Sequence, residues 1–458
     1  MSVSRTRTLA ALTTALATLS MVGTVSAHGG SLAAGGRESL TIPTWLFLST
    51  GGAAVGASFL LASFVTDRAF VERLHGWGID LIGGDRLLRP VGQAVGLLGL
   101  AAVLVTGFLG PETPRTNLAI LLVWAGWWAG LVIVTYLLGN AWSALNPFKT
   151  VASLLPTFDY DYPERFGAWP SVVGLLVLIW VEVVSPLADQ PQLLATVVAT
   201  YGVVTLAGAV FVGPETWFQR VDPVERVFRY YGRFAPITNG PDGFRLRLPS
   251  MDLSTPRLVD GADEVAFVVA ILWGTTYDGL VTTALWRDLS TPLVSAGVPP
   301  HVLYPVALAV GFGLFLGAYR LAARLARESA GTYLTTDALA VRFAPPLLAI
   351  AVGYHFAHYL GYFLFLAPAL AVAVASPLAS PAAVPVYQLP AWFGVVGIIS
   401  VVVGHLLAIW VAHAAAYELF PSRLQAIRSQ YPFIAVMVVY TMISLWIVSR
   451  PEVPLPHL

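Results

Sequence analysis

Residues 342–371 read RFAPPLLAIAVGYHFAHYLGYFLFLAPALA and carry no Asp, Glu, Lys or Arg after Arg342. A run of this length and composition can cross the hydrocarbon core of a bilayer, for which about 20 residues suffice. A second stretch, 391–416 (AWFGVVGIISVVVGHLLAIWVAHAAA), has the same character. Together they hold four histidines: His355, His358, His405 and His413. A charge at that depth costs roughly 2.5–3.5 kcal/mol on insertion scales, so intramembrane histidines point to function, less strongly when the imidazole is neutral.

The rest of the chain shares this composition. Of 458 residues 57% are hydrophobic and 11% charged, with a mean hydropathy of +0.74. The expected fold is all-α, a polytopic helical bundle whose main partner is the lipid bilayer. A formal net charge of zero argues against nucleic acid as a partner. The absence of cysteine excludes disulfides, thiolate metal sites and iron–sulfur clusters. Lys149 is the one lysine against 24 arginines, the usage of a high-G+C prokaryote.

Residues 1–27 read as a signal peptide, with Arg5 and Arg7, an apolar core, and Val25-Ser26-Ala27 as the cleavage site. An uncleaved first helix is the alternative. Residues 28–458 then form one transmembrane domain with ten expected spans, at 42–65, 90–110, 117–139, 169–188, 192–213, 263–286, 301–323, 342–371, 391–416 and 430–449. With the mature N-terminus outside the plasma membrane, the inner connections 66–89, 140–168, 214–262, 320–342 and 417–429 hold 19 Arg and Lys, and the outer ones only four. This asymmetry predicts both mature ends outside. The cytoplasmic connection 214–262 contains PETWFQRVDPVERVFRYYGRF, which reads either as an amphipathic surface helix or as a solvated loop. ITNGPDGFRLRLPS after it reads as a turn and a short extended piece. NAWSALNPFKT (140–150) breaks helix propensity at the inner interface, as a gating turn or an interfacial anchor.

At 1.5 Å per helical residue, His355, His358 and His405 fall roughly 16–24 Å from the inner boundary. Asp278, in LWGTTYDGLVTTALW, and Glu182, in LVLIWVEVVSP, fall at a similar level. His413 lies about 12 Å nearer the cytoplasm than His405. His355 and His358 are i and i+3, and Tyr362 extends their face. Two such imidazoles with His405 make a nitrogen-rich site for Zn, Cu or Fe, with Asp278 as fourth ligand or general base. The same residues also fit interhelical hydrogen bonding, a proton relay, or axial ligation of haem. Either carboxyl, Asp278 or Glu182, also fits a protonated group bonded to a backbone carbonyl. No Walker loop, Gly-x-Ser-x-Gly elbow or His-Glu-x-x-His helix is present.

Several blocks resemble a known family. They are HGG…GGRESLTIPTWLF, TTYDG followed by TTALWRDL, AHYLGYFLF, and GHLLAIWVAHAAAYELFP…RSQYPFIAVMVVYTMISLW. The chain is similar in these to the multi-pass bacterial and archaeal membrane proteins of the fenitrothion hydrolase type. The resemblance implies that Ala357-His358-Tyr359 and Asp278 belong to the shared pattern, with His355 less clearly part of it. It also implies hydrolysis of an organophosphate ester. The expectation that follows is a membrane-embedded, metal-dependent hydrolase of a lipophilic small-molecule ester or amide. A proton-coupled secondary transporter using Asp278, Glu182 and the histidines is the alternative, and a haem-bearing electron-transfer protein is a third.

Overall fold

A computed structural model describes residues 67–450 apart from 83–84, 159, 241–242, 256–257 and 382, together with 49, 51–53, 55–60, 453, 455 and 456. The expected signal peptide at 1–27 lies outside the described residues, as does much of the first expected span. Of the described residues 76% are helical, with almost no strand. Among the described residues, eight helices are long and apolar enough to cross a membrane.

In chain order, α1 is Arg68–Gly76, β1 Ile79–Ile82, α2 Asp85–Leu109, α3 Leu118–Leu138, α4 Trp169–Val184 and α5 Pro191–Val212. They are followed by α6 Pro223–Gly232, β2 Ile237–Gly240, β3 Gly243–Leu246, α7 Ala262–Val281 and α8 Pro300–Ala330. The last three helices are α9 Pro346–Ala375, α10 Gly394–Leu419 and α11 Arg423–Val448. Helices α5, α8 and α9 each begin with proline, where the missing N–H costs no hydrogen bond. Helix α8 closes on Gly331 in the left-handed region (φ 58°), a backbone setting that a side chain would strain.

One expected span is shorter: the fourth is 16 residues long, because Ser185 and Pro186 end α4 before 188. Of the first, the described residues 51–53 and 55–60 are helical, with Val55 and Phe59 buried and the Phe59 ring edge-on to Tyr431. Helix α3 departs from α geometry over Leu122–Leu131, a π-helical run that packs against α9. Such wide turns are rare and recur at functional sites.

The five basic connections meet at one end of the bundle. Strand β1 pairs antiparallel with β3, and β3 with β2, so 79–82 and 237–246 form one three-stranded sheet. Arg68 Nη2 donates to the Pro421 carbonyl at 2.8 Å, Lys149 pairs with Glu225 at 3.2 Å, and Ser329 Oγ donates to the Arg428 carbonyl at 3.0 Å. At the other end Val453 N donates to the Thr282 carbonyl, and Tyr304 Oη to that of Pro456.

The connection 214–262 corrects both sequence readings of its central segment. Helix α6 neither floats in solvent nor lies flat on a surface, because most of it is buried under the bundle. Arg226, 1% exposed, makes this work through a 2.7 Å bond to Glu264 Oε1 at the start of α7, with its guanidinium over the Phe267 ring. Asn146, in the NPF turn, caps the following short helix through Lys149 N and donates to Glu225 Oε2 at 3.0 Å. This turn is an anchor for α6.

Candidate functional site

Helix α7 carries Asp263 and Glu264 in its first turn, where the helix dipole favours acids. Asp278 stands in its last turns, where the dipole disfavours one. That carboxylate is 6% exposed, so it needs donors from elsewhere. Helix α9 supplies two. Tyr359 Oη donates to Asp278 Oδ2 at 3.0 Å, and His358 Nε2 stands 3.4 Å from the same oxygen. The His358 ring stacks one turn away on Tyr354, nearly parallel at 11°. Tyr277, beside Asp278, is held by a 2.9 Å bond to the Tyr304 carbonyl on α8, which fixes the rotation of α7.

His355 is buried nearby but turned to other partners. Its Nδ1 lies 3.3 Å from Tyr136 Oη on α3, and Trp128, Tyr136, Tyr231 and Tyr359 surround the ring. Its Nε2 has no hydrogen-bond partner among the described residues. Trp128 belongs to the π-helical run, so that irregularity is what sets one wall of the His355 pocket.

His405 sits where α9 and α10 cross. Gly353 and Gly404 bring the backbones together there, and a Cβ added to Gly353 would lie 2.6 Å from the Ser400 carbonyl oxygen. His405 Nδ1 donates to the Val401 carbonyl at 2.8 Å, which leaves the lone pair on Nε2, again without a partner among the described residues. His413 belongs to a separate group nearer the basic end, with Nδ1 3.3 Å from Gln430 Oε1 on α11 and Tyr417 beside it.

Glu182 on α4 and Asp189 after it extend the polar region along α9. Glu182 acts electrostatically on Tyr277, Tyr359 and Tyr362, and Asp189 on Tyr362. The Tyr362 ring is 6.4 Å from that of Tyr359 and perpendicular to it. Among the described residues no group of three or more His, Asp or Glu has the arrangement that holds a metal ion. His358 and Asp278 stand together, whereas His355 and His405 are each engaged with other partners.

Of the residues around this site, the sequence reading reached Tyr359 only through the family resemblance and passed over Trp128, Tyr136 and Tyr231. Tyr359 had a signal: 355, 358, 359 and 362 complete the i, i+3, i+4, i+7 stripe of one helix face. The other three come from distant helices and carry no such mark. Compared with known protein families, with curated proteins and with solved structures, the chain matches none.

Proposed function

We propose that this is a membrane protein of ten spans, with both mature ends outside, in which the Asp278–His358 pair takes up and releases a proton to drive a lipophilic or polar small solute across the bilayer. The observation that carries the reading is a buried carboxylate at a helix C-terminus, sharing one oxygen between an imidazole and a phenol on a neighbouring helix. Such a pair has two neighbouring protonation states, Asp⁻ with HisH⁺ and AspH with His, and the protein environment decides between them. Intramembrane carboxylates and histidines of this kind serve proton relays in pumps and transporters. The overall arrangement, apolar helices with basic connections gathered at one end, supports the orientation.

The test is a pH jump across proteoliposomes containing an entrapped pH indicator, with a panel of small solutes supplied outside. Wild-type protein is expected to relax the gradient, and Asp278→Asn to lose that flux while keeping its melting temperature. Equal flux in both proteins overturns the reading. One observation favours metal instead: His405 donates its Nδ1–H to a carbonyl and presents a bare Nε2, as metal-ligating histidines do. Stoichiometric Zn, Cu or Fe in the same wild-type preparation, lost in His405→Ala, would point to a metal-dependent hydrolase instead, and a Soret band to haem.

A further inference from the structure

We propose that the three-stranded sheet at the basic end lies in the headgroup region of the adjoining leaflet, with one of its faces turned into lipid. The pairing register gives this sheet two unlike faces. Ile79 stands opposite Leu246 and Leu81 opposite Phe244, while Ile237 stands opposite Leu246 from the other side. Residues directly opposite one another project to the same side, and alternate residues share a face, so these five apolar side chains lie together. Asp80 and Thr238 both stand opposite Arg245 and make the other face. Asp80 and Arg245 pair there at 3.8 Å with their side chains 69% and 37% exposed, so that face is in water.

The apolar face is not covered by the bundle. Ile79 and Leu81 are 51% and 37% exposed. Strand β3 is the central one, the strand that a packed sheet buries, yet each of Gly243–Leu246 is only half-buried. Among the described residues none of the five joins a buried core cluster of the protein. A contiguous apolar patch left open in this way marks an interaction surface. Its height identifies the occupant. Strand β2 starts against the end of α3, where a Cβ added to Gly139 would lie 3.1 Å from the Ile237 carbonyl oxygen. Strand β1 ends at Ile82, just before α2 begins at Asp85. Both α2 and α3 are long and apolar enough to cross a membrane. The sheet therefore sits where the bilayer surface meets the helix ends.

The patch also continues the lipid-facing surface on both sides along the chain. On α2 the exposed Val91, Val95 and Leu98 recur at i, i+4 and i+7, one stripe of a helix that faces lipid. Just ahead of β1 stands Trp77, 44% exposed, a residue type that seats at membrane–water interfaces. One face wet and charged, the other apolar and uncovered, is the division that an element lying in the interface plane requires. A lipid surface is the occupant that fits, because any protein partner at this height would have to displace lipid to reach the same face.

The chain has no cysteine, so nitroxide labels can be placed one at a time. The experiment is electron paramagnetic resonance of the full-length protein in lipid nanodiscs. Each label's collisions with oxygen, which concentrates in lipid, are compared with those with a nickel chelate, which stays in water. Labels at Ile79→Cys, Leu81→Cys and Phe244→Cys are expected to give an oxygen-to-nickel ratio severalfold above that at Asp80→Cys. Leu98→Cys, 70% exposed on α2, and Tyr333→Cys, 102% exposed on a basic connection, set the lipid and water limits. Phe244→Cys stands on the central strand and reads the same face should a label disturb the edge strand β1. Ratios at the three apolar-face positions no different from that at Asp80→Cys overturn the proposal. So does shielding of all three from both reagents, which would mean that protein covers the face, with dipolar broadening between labels identifying a second copy.

Discussion

Two side chains at the basic end respond to pH in opposite senses. Burial, and secondarily the Arg247 guanidinium, holds His75 down at about 4, against an ordinary value of 6.5. The folded chain therefore binds this proton less readily than the unfolded one. The stability it contributes is full above 6.5 and is lost as pH falls toward 4. Asp222 is the reverse case: burial raises its carboxyl from 3.8 to about 6 despite the Glu225 N–H that it caps. Its contribution is full below about 3.8 and is lost as pH rises through 6. In the wild type the two slopes oppose each other across the acid range. Melting temperatures between pH 4 and 7 should show His75→Gln losing less stability in acid than wild type, and Asp222→Asn losing more. Coincident profiles would mean that neither group couples to folding.

At the scale of elements, α9 and α10 cross in close contact beside His405. Gly353 and Gly404 lie backbone to backbone, the close approach that small residues permit between membrane helices. Gly353→Val should force the helices apart and cost about 1–3 kcal/mol, read as a lowered melting temperature. Valine at Gly313, whose added Cβ would meet nothing within 4 Å, is the control and should leave stability near that of wild type. The element scale also shows what a sequence can announce. Long charge-free runs such as 343–371 declare their helices because lipid leaves the backbone no other way to satisfy its hydrogen bonds. The π-helical turn in α3 declares nothing, since LVWAGWWAGL is as apolar as any α-helical run. The burial of α6 was equally hidden, because Arg226 finds Glu264 38 residues away and only that pairing makes the burial of a guanidinium tolerable. The site was legible to the depth of its residues and no further. Counting along helices brings Asp278 and His358 to one level, but only the fold reveals that Tyr136 draws His355 aside.

For the molecule as a whole, the gathering of five basic connections at one end makes a prediction about sidedness. The native chain has no cysteine, so single cysteines can report on it without background. Tyr333→Cys and Leu154→Cys, at positions 102% and 80% exposed on the basic connections, should react with an impermeant thiol reagent only after cells are opened. Leu378→Cys, 60% exposed on a connection of the other end, should react in intact cells. Labelling of all three from the same side would overturn the alternation of spans. The sheet at the basic end adds a condition on biosynthesis. Strand β1 leaves the ribosome about 160 residues before β3, its one partner among the described residues, and at 5–20 residues per second it waits on the order of 10 s. Through that interval an unpaired edge bearing Ile79 and Leu81 is open to any other strand. The order in which the intervening helices insert therefore governs whether this small sheet closes on its own chain or on a neighbour's.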